Sequence, residues 1–297
     1  MPSLKDLKVR IKSVKSTQKI TKAMKVVAAA KLARARAAAE AARPYAVAME
    51  GMVTRLAAAA SGQANLPKLL VGTGQDKTEL LIVVTADRGL SGAFNSSIVR
   101  AARKYIREQL VAGKSVKIYC IGRKGRDWLN EYKHLIIGSR IELAKNTNYR
   151  MAEGIADEIF EEMQSSGFDR ITMLYNQFKS VISQVPTFQT LMPLDRRVAR
   201  NVVAPANDRR KPLPPYEYEP SEEQILADLL PRNFAMQLLT ALLDNNAGFY
   251  GAQMNAMENA TKNAGEMIKK LTLKYNRTRQ ANITKELIEI ISGAEAI

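Results

Sequence analysis

The sequence is most restrictive in what it withholds. Among 297 residues there is one cysteine, Cys120, and one histidine, His134. A single thiol cannot close an internal disulfide, and its place in the apolar run from Val116 to Ile121 predicts a buried small hydrophobe in a reduced compartment. One imidazole excludes histidine metal clusters and a Ser-His-Asp triad, and His134 is expected on the surface or in a turn. No Gly-x-x-x-x-Gly-Lys-Ser/Thr loop occurs, and Gly72-x-Gly74 lacks a third glycine and precedes the strand it should follow. The chain is therefore expected to bind no nucleotide itself. It has no run of 18 apolar residues and no signal-peptide core or cleavage site, which predicts a soluble protein that meets a membrane only through partners.

What is abundant is positive charge: 45 Lys and Arg against 29 Asp and Glu, a net +16. Residues 1–36 hold eight Lys and three Arg against Asp6 alone, so that end seeks acidic surroundings. Nucleic acid is disfavoured, because no aromatic precedes Tyr45 to stack on bases and the charges surround the helix instead of forming one stripe. Ser3 with Asp6 reads as a capping box. From there a heptad runs through Leu4, Leu7, Ile11 and Val14, then Leu32, Ala35, Ala39 and Ala42, then Met49, Val53 and Leu56, with Gln18, Thr21 and Lys25 in the same register. A helix over about 3–59 would be roughly 85 Å long, which predicts a coiled-coil arm over 1–60.

After a linker-like stretch (61–76) the period changes. Leu80–Thr85, Val116–Ile121 and Arg170–Tyr175 read as strands; Ser96–Val111, Arg126–Tyr132 and Tyr149–Gln164 read as helices. That alternation predicts a small α/β domain with a parallel sheet over 77–195. Ser180–Leu191 is read as an edge strand, with Pro186 excluding a central place. Residues 196–220, rich in Arg and Pro, are expected to be irregular, a solvated loop in preference to a surface for anionic lipid. Ser221 with Gln224 restarts a helix over 221–297; Pro231 breaks it, kinks it or occupies the first turn of its main segment. There Met257, Ala260, Ala264, Met267 and Leu271 form a seam that lapses over Lys274–Gln280. Met254, Met257 and Met267 are read as core packing. Antiparallel pairing of the two long helices would set the polar stretches 18–25 and 274–280 at similar height, where the coil meets an external surface.

The chain closes on Ile283-Thr284-Lys285-Glu286-Leu287-Ile288-Glu289-Ile290-Ile291-Ser292-Gly293-Ala294-Glu295-Ala296, an apolar tip where soluble proteins usually fray into polar residues. This stretch resembles the C-terminal signature of the γ subunits of F-type ATP synthases, at Ile283, Thr284, Glu286, Glu289, Gly293 and Ala294. Gln18-Lys19-Ile20-Thr21-Lys22-Ala23-Met24-Lys25-Val26-Val27-Ala28-Ala29-Ala30-Lys31 and Asp87-Arg88-Gly89-Leu90-Ser91-Gly92 match two further motifs of that family. Ser91 stands where many relatives have Cys, and the cysteine pair of the chloroplast regulatory kind is missing, so redox control is not expected. Asp87–Gly92 is read as a tight turn with an Asp-Arg pair in preference to a ligand site.

The resemblance implies an antiparallel coiled coil of the two terminal helices with an inserted Rossmann-like α/β domain. It implies a central shaft lodged among three α and three β subunits, with the ε subunit and the c-ring at its foot, at the cytoplasmic face of a bacterial inner membrane. Chemistry would belong to β, with MgATP and MgADP on α and β and no cofactor on this chain. Carried over by motif, Arg279, Gln280 and Thr284 match a polar contact with β, and Met24, Lys22 and Lys25 match a stretch facing the acidic lever of β. Ile283, Leu287, Ile290 and Ile291 match the apolar bearing tip, and Tyr216, Tyr218 and Glu219 match the foot near ε and the c-ring. Two other classes, an NAD-type enzyme and a free-standing coiled-coil scaffold, fit less well: the first lacks its glycine loop, and the second needs no buried tip.

Overall fold

A computed structural model describes residues 3–59, 67–142, 147–194 and 222–295. The segment 196–220, with Tyr216, Tyr218 and Glu219, and the Ser221 cap lie outside the described residues. Helix α1 spans Leu4–Ala59 and α2 spans Lys68–Val71, followed by β1 (Thr78–Val84), α3 (Phe94–Val111), β2 (Ser115–Ile121) and α4 (Arg123–Trp128). A 3-10 turn (Asn130–Leu135), β3 (Ile136–Arg140), α5 (Tyr149–Ser166), β4 (Arg170–Phe178), β5 (Gln184–Met192) and α6 (Glu222–Glu295) complete the order. The chain divides into two compact units, residues 1–30 with 253–297, and residues 31–252.

In the larger unit the sheet order is β3-β2-β1-β4-β5. Strand β1 pairs in parallel with β2 and β4, β2 with β3 in parallel, and β5 runs antiparallel to β4. The sheet is therefore mixed, and β5 takes the edge place that Pro186 demanded, opposite Asn176. Strand β1 is buried on both faces, and its alternation sorts two cores. Leu80, Ile82 and Val84 pack with α5 residues and with Phe234, Leu238, Ala241 and Leu242 of α6. Leu81 and Val83 pack with Ile98, Ala102 and Ile106 of α3 and with Cys120. Burial pushes the Cys120 thiol up to about 12, consistent with an inert hydrophobe. His134 is exposed in the 3-10 turn.

Strand β3 was not expected. Its sequence, Ile-Ile-Gly-Ser-Arg, is short, and Gly138 is admitted because a Cβ there would sit 2.6 Å from the Tyr119 ring on the neighbouring strand. Also unforeseen is a buried glutamate in β1. Glu79 Oε1 accepts from the Tyr105 and Thr172 hydroxyls, each at 2.6 Å, and so ties α3 to β1 and β4. Helix α5 opens on Asn148, whose side chain accepts from the Met151 N–H at 3.0 Å, and closes at Gly167 in the left-handed region.

The Asp87–Gly92 segment is a turn, but without its expected ion pair. Asp87 accepts instead from the Arg123 backbone N–H at 3.0 Å, while the Arg88 carbonyl accepts from Asn95. Nor does Pro231 break its helix: α6 continues through it, as α1 does through Pro44. Each proline costs one ladder hydrogen bond. Leu230 and Phe234 beside Pro231, and Ala42 and Ala46 beside Pro44, are packed into the core and hold the backbone through the defect.

Candidate functional site

The smaller unit is a pair of helix segments. The capping box forms as the sequence demands: Ser3 Oγ accepts from the Asp6 N–H at 3.1 Å, and Asp6 accepts in return from the Ser3 N–H at 3.2 Å. These hydrogen bonds hold the Asp6 carboxyl below its ordinary value. Burial recurs along α1 at Leu4, Leu7, Ile11, Val14, Gln18, Thr21 and Lys25, the expected heptad. On α6 the seam runs through Met257, Ala260, Thr261, Ala264, Ile268, Leu271, Tyr275 and Thr278. This corrects the expected seam at one point, since Met267 is 51% exposed and Ile268 takes its place. It also corrects the supposed lapse over 274–280, where the Tyr275 and Thr278 side chains serve as seam residues although they are polar by type.

Gln18 donates to the Thr261 carbonyl at 3.4 Å, the Thr21 and Thr261 hydroxyls meet at 2.8 Å, and Lys25 Nζ lies 3.1 Å from Glu258. Numbers rise on α1 as they fall on α6, so the helices run antiparallel. The polar stretch 18–25 consequently faces 258–265, and not 274–280. Each threonine hydroxyl also bonds a carbonyl of its own helix, Gln18 for Thr21 and Met257 for Thr261. Two hydrogens serve three contacts, which makes this layer a register pin more than a source of stability. Gly265 permits the close approach, since a Cβ there would lie 3.0 Å from Gln18 Nε2.

Around this layer opens a notch of about 410 Å³ lined by Gln18, Lys19, Lys22, Lys25, Glu258, Thr261 and Lys262. It is strongly cationic, with Glu258 as its one acid. Lys25 is partnered within the chain by Glu258, whereas Lys22 is exposed; Met24 is half-buried. Ile20 and Val27, not singled out from sequence, are exposed at helical spacing on either side of Met24. Their signal was available: both are apolar residues outside the heptad seam of a helix that otherwise exposes charge. The hydrogen bond and charge of Lys25, then Lys262, hold the Glu258 carboxyl below its ordinary value of 4.5. A carboxyl lowered in the folded state contributes above its unfolded value and loses that contribution as pH falls through the folded value. The stability difference between the native chain and Glu258→Gln, read from thermal melts, should therefore be constant near neutrality and shrink as pH falls below 4.5.

Beyond Thr278 the burial stops. From Arg279 to Ser292 every side chain whose burial is described is exposed, although α6 stays helical to Glu295. Ile283, Leu287, Ile290 and Ile291 fall at i, i+4, i+7 and i+8, one stripe of the helix, and are 53%, 55%, 72% and 50% exposed. Ile288, on another side, is exposed too. Thr284 donates back to the Gln280 carbonyl at 3.0 Å, and the Arg279 and Gln280 side chains have no hydrogen-bond or ion-pair partner among the described residues. The structure thus brings Met24, Lys22 and Lys25 together with Glu258, and gathers Arg279, Gln280 and Thr284 with the apolar stripe on the free end of α6. Chemically this arrangement can bind; the described residues hold no group of three or more metal-ligating side chains. No described helix is long and apolar enough to cross a membrane.

Comparison with known proteins extends over the whole chain. A family model described as ATP synthase matches residues 3–297. The ATP synthase gamma chain of Rhodopseudomonas palustris (strain TIE-1) is 56% identical over 299 residues, covering all of both chains. That of Nitrobacter hamburgensis is also 56% identical over the full length of both. Among solved structures, a chain in the central stalk and c-ring of the Tetrahymena thermophila mitochondrial ATP synthase is 31% identical with a TM-score of 0.61, covering 81% of this chain and 99% of that one. A chain from the Euglena gracilis mitochondrial ATP synthase is 20% identical with a TM-score of 0.65, over 99% of this chain and 94% of that one, a likeness of fold.

Proposed function

Because the chain belongs to the family of ATP synthase gamma chains, we propose that it works as the central shaft of a proton-translocating F-type ATP synthase, turning with the c-ring and driving conformational change in the catalytic subunits. It is a component of an ATP synthase complex. Its own part is mechanical: MgATP and MgADP belong to the α and β subunits, and this chain contributes no catalytic group. The complex would lie at the cytoplasmic face of a bacterial inner membrane, with this chain peripheral to it.

The observation that carries this reading is the free end of α6, a helix that leaves its partner and continues with an apolar stripe exposed. An aliphatic stripe costs free energy in water and has no hydrogen bond to break as it slides, which suits a bearing inside an apolar sleeve. Directional contact would be confined to Arg279, Gln280 and Thr284. One shaft facing three equivalent catalytic partners must meet each through a different face. Only such differential contact can hold them in three different states. The cationic notch with Lys22 and the apolar stripe of Ile20, Met24 and Val27 supplies a face suited to an acidic lever on β. At the foot, Tyr216, Tyr218 and Glu219 are proposed to meet ε and the c-ring.

Reconstitution tests the proposal. Purified α and β subunits should give stable, MgATP-hydrolysing hexamers of defined order only when this chain is added. If hydrolysis and sedimentation of the α and β mixture are the same with and without it, the shaft assignment is wrong.

A further inference from the structure

On the larger unit an open groove of about 480 Å³ runs between α3 and the segment formed by α4 and the 3-10 turn. Arg100 and Arg103 of α3 form one wall; Asp127, Trp128, Asn130 and Glu131 form the other. Both acids are already neutralised. Glu131 takes the Arg103 Nε at 2.7 Å, and Asp127 takes Arg126 at 3.2 Å. Arg103 is further committed by donating to the Trp128 carbonyl at 2.7 Å, so it serves as a strut across the floor. What remains unmatched is chiefly donors and cations. Arg100 and the Asn130 amide have no partner among the described residues, and neither has Arg107, two turns along the same helix. Trp128 is 40% exposed, with the Lys124 ammonium 5.8 Å from its ring centre.

Unpaired donors and cations beside an open indole are the complement of a carboxylate next to an apolar side chain. We propose that this groove docks an acidic peptide segment of a partner chain in the complex. One carboxylate would seat on Arg100 and Asn130, an adjacent apolar side chain on Trp128, and a second carboxylate on Arg107. Arg100 and Arg107 are seven residues apart on α3, about 10 Å at 1.5 Å per residue. A helical segment carrying acids at i and i+7 has that spacing on one face. A membrane surface fits less well, because the site is concave and has Asp127 and Glu131 in its wall. Nucleic acid fits less well because a single aromatic stands there. The inference rests on the chain acting within an ATP synthase only in that the partner is sought in that complex.

Trp128 is the chain's only tryptophan, so its emission reports on this groove without a label. The probe is a helical peptide carrying Glu at i and i+7 with Leu between them, titrated into the full chain. A saturable change in Trp128 emission is expected, weakened at least roughly tenfold when the peptide carries Gln for Glu or the chain carries Arg100→Gln with Arg107→Gln. Both arginines are exposed and unpaired among the described residues, so circular dichroism of that variant should be unchanged. No response to the Glu peptide, an equal response in the variant, or a stronger response to phosphatidylglycerol vesicles or single-stranded oligonucleotide would overturn the proposal. In the assembled complex, carbodiimide should join Lys104 or Lys124 to an Asp or Glu of a partner chain. Intact assembly and hydrolysis without that link would sink the docking site and leave the shaft assignment standing.

Discussion

Deleting residues 279–297 is expected to leave the melting of the isolated chain unchanged while weakening its assembly with α and β subunits by between about tenfold and a thousandfold. The first half follows from burial. Every described side chain from Arg279 to Ser292 is exposed in the chain by itself, so the segment contributes almost no buried area to its stability. The second half follows from what the stripe still has to gain. Ile283, Leu287, Ile290 and Ile291 each retain about half or more of their surface in water. Completing their burial is worth about 1 kcal/mol apiece, and the lower bound allows for the ordering cost of association. The deletion should also make the free chain less prone to aggregate, since it removes an exposed apolar patch. Sedimentation of the free chain and titrated hydrolysis of the reconstituted complex would read the two effects separately. A truncated chain that assembles with undiminished affinity would show that the stripe has no sleeve.

Gly122→Ala should be far more damaging to the fold than its single methyl suggests. Gly122 has φ +97, and a Cβ there would stand 2.4 Å from the Thr85 carbonyl oxygen and 2.7 Å from its carbonyl carbon. Backbone cannot swing aside as a side chain can. Thr85 N–H donates to the Ile121 carbonyl at 2.7 Å, Gly122 N–H donates to the Arg140 carbonyl at 2.7 Å, and the Thr85 hydroxyl accepts from the Gly125 N–H at 2.8 Å. Relief of the clash would separate the carboxyl ends of β1 and β2 and break these bonds together. A cost of at least about 3 kcal/mol is expected, or a fall of roughly 10 °C in the melting of the sheet unit. Gly74→Ala is the control: its φ is +77 but nothing lies within 4 Å of the added Cβ. It should cost only about 1 kcal/mol of backbone strain. Equal losses at the two positions would mean that strain alone, not the contact with Thr85, sets the requirement at 122.

Legibility in the sequence followed periodicity. The α1 heptad held from Leu4 to Leu56 because apolar residues recur at regular spacing on either side of Gln18–Lys25, which keeps the same register. The three central strands stood out because short, largely apolar runs, interrupted only by single polar residues such as Lys117 and Thr172, lie between helical stretches. The α6 seam departs from residue type at Met267 and beyond Leu271, where half-buried Tyr275 and Thr278 take seam places although both are polar by type. The facing of residues 18–25 is hidden for a related reason: pairing of two long helices is set by contacts such as Thr21 with Thr261, which sequence spacing within each helix does not encode. Strand β3 has two consecutive isoleucines and little else, and its place depends on a partner strand. Glu79 is legible only in three dimensions, because its hydroxyl partners Tyr105 and Thr172 are 26 and 93 residues away. At the candidate site the apolar tip was plain in the sequence. Ile20 and Val27 beside Met24 were not singled out, although both are apolar residues outside the heptad seam.

If this chain turns within a ring of partners, its rotation can be watched directly. Cys120 is fully buried, so Ile182→Cys, at a position 82% exposed in the turn before β5, gives a single reactive thiol on the sheet unit. A bead attached there, with the α and β subunits fixed to a surface, should rotate in one direction and in steps when MgATP is added, and stop when it is withdrawn. A bead that shows only Brownian motion on a complex that is hydrolysing MgATP would mean that this chain does not turn with catalysis.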